Sequence, residues 1–222
     1  MSALRGREAM VALLVEHVLA GHTVLVYGPW CIGKTALLDE VQRRVAATGR
    51  PCALAPHTNG LADITAALAR ACPDARRDPL TQRHLRTLLR NLIAQRPGAL
   101  LLDHAAIAGT AVKGYLRSLA GLGLGVVLAV DAENERDHGR ARAWGLAYRE
   151  VAVPRLGGSH MARLLDEYLR AASVAVPLQA DDRAALLDAA QGRPGWLVET
   201  AFPSGGSVTA TATFTATNAG QI

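Results

Sequence analysis

Gly28-Pro29-Trp30-Cys31-Ile32-Gly33-Lys34-Thr35 decides how the rest of the chain is read. It fits G-x-x-x-x-G-K-[ST] at every fixed position. It stands between an apolar run, Thr23-Val24-Leu25-Val26-Tyr27, and a stretch of helical periodicity beginning at Lys34. That setting is what a phosphate-binding loop requires. Backbone N–H groups of the loop and of the first helical turn, Ala36 included, converge on an anion. Lys34 reaches the β- and γ-phosphates, and the Thr35 hydroxyl offers a ligand to Mg2+. The expected ligand is ATP with Mg2+, lined by Gly28, Pro29, Trp30, Cys31, Ile32, Gly33, Lys34, Thr35 and Ala36.

Reading outward, a helix from about Arg7 to Ala20 precedes the first strand, and the helix from Lys34 ends near Thr48, before Gly49 and Pro51. Further strands are expected at Cys52–Ala55, Ala99–Asp103, Gly125–Val130 and Glu150–Val153. Helices fill the gaps near Leu61–Ala71, Leu80–Gln95 and Ala111–Leu122. Strands that are almost continuously apolar and alternate with helices predict an α/β fold with a parallel sheet covered on both faces. Beyond Pro154 the pattern is wholly helical, near Ser159–Ala172, Ala180–Gln191 and after Pro194, with Ser159 and Asp181 as N-caps and Gly192 as C-cap. The expected division is a nucleotide-binding domain over 1–154, a helical lid over 155–202 and a Thr-, Ala-, Gly- and Ser-rich tail over 203–222.

The apolar run Leu100-Leu101-Leu102 delivers Asp103 to a strand end, where a carboxylate can hold the same Mg2+ as Thr35. His104 follows. Neutral imidazole accepts a proton near neutral pH, so His104 is a candidate for the group that polarises an attacking water, beside Lys34 and Asp103 as the charge-stabilising residues. Two outcomes stay open at this point: an ATPase, slow for want of a carboxylate at position 104, and a module that binds ATP without turning it over.

Composition narrows the rest. The chain has 222 residues, 50% of them hydrophobic and 19% charged, which excludes general disorder and is too interrupted by Arg, Asp, Gly and Pro for a membrane-spanning helix. Glu16 and His17 cut the N-terminal apolar run before it could act as a signal sequence, so a cytoplasmic location is expected. Cys31, Cys52 and Cys72 have neither disulfide-framework nor zinc spacing. The net charge of +5 comes from twenty-two arginines and two lysines, Lys34 and Lys113, an Arg-rich habit with no polybasic tract. Arg83, Arg86 and Arg90 fall at helical spacing, where they either track a phosphate backbone or form a solvated face.

Arg5-Gly6-Arg7-Glu8, GPWCIGKTALL, LLLDH, VVLAVD and Gln191-Gly192-Arg193-Pro194-Gly195, in this order, resemble the AAA+/STAND group of P-loop ATPases, especially small bacterial ATPases similar to origin-recognition initiators and transposition regulators. The resemblance covers about residues 5–202 and implies a three-layer αβα sandwich with a five-stranded parallel sheet, order 5-1-4-3-2, and a C-terminal helical lid. It implies a nucleotide-driven switch, with a non-hydrolysing assembly or DNA-associated regulatory module as the alternative. By the same resemblance Arg5 lies beside the adenine, Arg193 and Pro194 bring the lid to the nucleotide, and Asp131 stands where a polar group senses the γ-phosphate. Arg136, Arg140 or Arg142 would reach a neighbouring subunit's nucleotide, so self-association, a protein partner or DNA are the implied partners. Cys31 replaces a common glycine, His104 a common glutamate, and Asp131 puts an acid where a phosphate is expected.

Overall fold

Five short strands, β1 (Thr23–Gly28), β2 (Cys52–Ala55), β3 (Ala99–Leu102), β4 (Gly125–Asp131) and β5 (Arg149–Ala152), form one parallel sheet in the order β2-β3-β4-β1-β5. This is the expected 5-1-4-3-2 order read from the other edge. The computed structural model describes residues 4, 6–56, 60–72, 81–105, 109–132, 145–171 and 178–201. Among these, the helices are α1 (Glu8–Leu19), α2 (Lys34–Ala47), α3 (Leu61–Ala71), α4 (Gln82–Gln95), α5 (Thr110–Ala120), α6 (Gly158–Ala171), α7 (Ala180–Ala190) and α8 (Pro194–Ala201). No helix among the described residues is long and apolar enough to cross a membrane.

The period-two alternation of strand side chains sorts the core into two layers. Val24, Val26, Leu101, Val127 and Ala129 face Val11, Leu14 and Val18 of α1 and Leu37, Leu38, Val41 and Val45 of α2. Leu25, Leu100, Leu102, Val126, Leu128 and Val130 face Ile64 and Leu68 of α3, Leu89 and Ile93 of α4, and Val112, Leu116 and Leu119 of α5. Every residue of β3 is buried, whereas Arg149, Glu150 and Ala152 of β5 are exposed, as an edge strand permits. The central strand is approached closely from above. A Cβ at Gly125 would fall on the Val18 carbonyl group, so only glycine lets the end of α1 rest on the start of β4.

The chain divides into two compact units, the first running to Arg155 and the second beginning at Leu156. The second unit has its own small core of Met161, Leu165, Leu186, Ala190 and Leu197. Within it, Leu156 N–H donates to the Gly192 carbonyl at 2.9 Å, and Arg183 grips the Asp166 carboxylate, which holds that carboxyl below its ordinary value. The capping expectations here need correction. Gln179 is the N-cap of α7, and Asp181 lies inside the first turn with Asp182, where a carboxylate serves the helix dipole without capping it. Ser159 lies inside the first turn of α6, and α7 closes on Gln191 in a left-handed conformation, one residue before Gly192.

Candidate functional site

Parallel strands place their C-terminal ends together, and β1, β3 and β4 deliver Gly28, Asp103 and Asp131 to the same edge of the sheet. Gly28 and Asp131 are register partners across β1 and β4. The loop then turns over the head of α2, whose N-cap is Gly33 at φ 94°, a left-handed conformation that glycine adopts without strain. Cys31 takes a left-handed conformation too, at φ 61°. That explains in backbone terms why glycine is common at this place in the motif, and the side chain costs about 1 kcal/mol of strain there.

The first residues of α2 face the strand ends. Lys34 is buried to 6% exposure, and its ammonium donates to the Gly28 carbonyl at 2.8 Å and the Pro29 carbonyl at 2.7 Å. Its third partner is the Asp131 carboxylate, with Nζ 2.6 Å from Oδ1. The Thr35 hydroxyl donates to Asp103 Oδ2 at 2.6 Å, and Asp103 Oδ1 accepts the backbone N–H of His104 at 3.0 Å. The two halves of the motif pair, separated by β2, α3 and α4 in sequence, are therefore in direct contact. Asp39, one turn along α2 from Thr35, has a carboxyl raised from its ordinary value by partial burial and by the nearby charge of Asp103. The Thr35, Asp103 and Asp39 corner thus carries an excess of oxygen donors and negative charge, which suits a hard divalent cation.

His104 is half-exposed and left-handed at φ 48°. Its Nδ1 lies 3.6 Å from Asp131 Oδ2 and its Nε2 3.9 Å from Asp103 Oδ2. Asp131 is thereby more than the solvated strand end its sequence context allows: it stands between Lys34 and His104. Trp30 projects from the loop, about half exposed. Of the other sequence-predicted residues, Arg193 and Pro194 belong to the second unit, at the turn between α7 and α8, where the Arg193 N–H donates to Ala190 O at 2.8 Å. Arg5, Arg136, Arg140, Arg142 and the tail after Phe202 lie outside the described residues.

One residue of the site was not singled out from sequence. Arg7, 2% exposed, donates from one terminal nitrogen to the Ile32 carbonyl at 2.6 Å and from the other to the Pro154 carbonyl at 3.1 Å. It straps the Gly28–Thr35 loop, at Ile32, to the segment just after β5, at Pro154. Burial lowers its guanidinium to about 10, which still leaves it charged at neutral pH. In the sequence Arg7 stands inside the Arg5-Gly6-Arg7-Glu8 segment that carries the resemblance, but nothing local marks its reach to Ile32 and Pro154. Arg7→Leu is expected to lower stability by about 2 kcal/mol, because it strands two carbonyls that Arg7 now satisfies. An unchanged urea midpoint would show that the strap contributes nothing to stability.

No family model matches the chain, and no curated protein matches it in sequence. Solved structures do match its fold. The Orc1 protein of Aeropyrum pernix, solved in complex with DNA, superposes with a TM-score of 0.57 at 17% identity, over 88% of this chain and 59% of that one. The Walker-type ATPase of Pyrococcus abyssi gives 0.56 at 16% identity, over 86% of this chain and 65% of that one. AMPPCP-bound DnaA from Aquifex aeolicus gives 0.52 at 17% identity, over 90% and 63%. The chain spans less than two thirds of the length of each. These likenesses show an AAA+-like P-loop ATPase fold.

Proposed function

We propose that this chain binds ATP with Mg2+ at the phosphate loop and hydrolyses it, acting as a nucleotide-driven switch of AAA+/STAND type. The observation that carries this reading is the 2.6 Å contact between Thr35 and Asp103, which joins the head of α2 to the end of β3 beside the buried Lys34. One of the matching folds holds AMPPCP, a nucleotide analogue. Backbone N–H groups of the loop after Pro29 and of the first turn of α2, Ala36 included, would line the phosphates, and Thr35 and Asp103 would hold the Mg2+, which would supply charge neutralisation to the phosphates. Lys34 stabilises the charge that develops on the transferred phosphoryl group, and His104 orients or deprotonates the attacking water. By likeness to AAA+ proteins we assign Arg5 to the adenine, and Arg193 and Pro194 of the second unit to lid closure.

The test of His104 is direct. His104→Glu should match or exceed wild-type turnover, and His104→Ala should fall by about a hundredfold, the usual weight of a general base. Turnover unchanged in the alanine variant would remove His104 from the chemistry. The rival reading, a module that binds ATP without hydrolysis, draws on the same residue: His104 is half-exposed, left-handed and turned toward Asp131. Binding without phosphate release by the wild-type protein would decide for it.

We further propose a cytoplasmic protein whose ATP-bound form recruits a partner. DNA is supported by the Orc1 likeness and by α4, which carries Arg83, Arg86 and Arg90 and no acidic residue. Retention on DNA that requires ATP and falls steeply with salt would support this partner, and salt-insensitive binding would not.

A further inference from the structure

We propose that Asp131 is a built-in competitor for phosphate, holding Lys34 in a charged pair that a nucleotide must displace, at a greater cost for a triphosphate, whose γ-phosphate comes beside Asp131, than for a diphosphate. The inference deepens the nucleotide-binding reading and rests on it. An ammonium has three N–H donors, and in Lys34 all three are committed, to Gly28 O, Pro29 O and Asp131 Oδ1 at 2.8, 2.7 and 2.6 Å. Two of these partners are the loop's own carbonyls. The third carries a full charge and comes from a different strand, so it is the partner that a phosphate oxygen replaces.

The placement is built into the fold. Gly28 and Asp131 are opposed across β1 and β4, and the Ala132 N–H donates to the Gly28 carbonyl at 3.2 Å, so the strand end beside Asp131 is fixed against the root of the loop. Lys34 is 6% exposed and the Asp131 side chain 40% exposed, so the pair forms at the mouth of a sheltered site, where a charged contact is screened less than on an open surface. Once Lys34 turns to a γ-phosphate, Asp131 is left as a like charge beside that phosphate. Both effects weaken triphosphate binding; a diphosphate also draws on Lys34 but brings no γ-phosphate beside Asp131, so the second effect is smaller for it.

The test compares the wild-type full chain with Asp131→Asn, which keeps the shape and removes the charge. Equilibrium titration with Mg-ATP and Mg-ADP is expected to show ATP affinity raised by about tenfold, equivalent to about 1.4 kcal/mol, and ADP affinity raised by clearly less. Because the chain has two lysines, Lys34 and Lys113, selective lysine 13C labelling gives two Cε resonances, assigned with a Lys113→Arg protein. Asp131→Asn should move the Lys34 resonance and leave that of Lys113 in place. If the asparagine variant does not fold, Asp131→Ser is measured in the same way. Unchanged or weaker ATP affinity, an equal gain for ADP, or an unmoved Lys34 resonance each overturns the competitor role while leaving nucleotide binding intact. Failure of both proteins to bind either nucleotide overturns the nucleotide reading and this proposal together.

Discussion

Alanine at position 34 is expected to reduce Mg-dependent phosphate release from ATP by about a thousandfold in a single-turnover assay, the scale on which buried charge-stabilising groups act. Lys34 is the positive side chain at the head of α2, and two carbonyls and a carboxylate converge on it. Its removal takes away the charge that would meet the γ-phosphate and leaves Asp131 uncompensated at the same spot. Affinity for ATP should fall along with the rate. Lys113, on α5, provides the control, since its replacement by alanine should leave release unchanged. A Lys34→Ala protein that keeps most of the wild-type rate would remove the phosphate loop from the reaction. Tight ATP binding by the wild type with no release at all would instead establish the non-hydrolysing module.

The largest effect on stability is expected far from the loop. Gly125→Ala places a methyl group on the carbonyl group of Val18, and backbone cannot swing aside as a side chain can. Either α1 lifts from the sheet, exposing Val11, Leu14 and Val18, or β4 shifts against β1 and β3. We expect a loss of about 3 kcal/mol, at the upper end for overpacked cores. For a unit of this size that lowers the melting temperature by about 10 °C. A melting temperature within about one degree of wild type, which corresponds to a loss well under about 1 kcal/mol, would show that α1 tolerates displacement.

The sheet was legible because its strands are buried on both faces and written as unbroken apolar runs, Val24 to Val26, Leu100 to Leu102 and Val126 to Val130, between glycine and proline punctuation. The Gly28–Thr35 motif could be read because its pattern is local: eight consecutive residues carry the turn, the lysine and the hydroxyl. Asp103 could be paired with Thr35 only through the order of motifs; the structure places the two side chains 2.6 Å apart. What stayed hidden depends on distance in space. The bond from Lys34 to Asp131 joins the ends of α2 and β4, and Asp131 read alone is an ordinary strand-end acid. Arg7 gains its place by reaching Ile32 and Pro154, neither near it in sequence. The caps of α7 were misplaced by one or two residues because Gln179 has no capping oxygen that advertises it, and because a left-handed Gln191 took the role a glycine would usually fill.

The position of β1 between β4 and β5 has a kinetic consequence. Its partners lie about a hundred residues further along the chain or more, so closing those contacts is a slow, non-local event, on the order of milliseconds to seconds. Until β1 is clamped on both sides, the loop that follows it has no fixed root and Lys34 has no strand end to face. A nucleotide supplied at the start of refolding would find nothing to bind, and so would not speed the rate-limiting step. Bound as proposed, the same nucleotide added to the finished protein would slow the reverse reaction, since leaving the native state would first require its release.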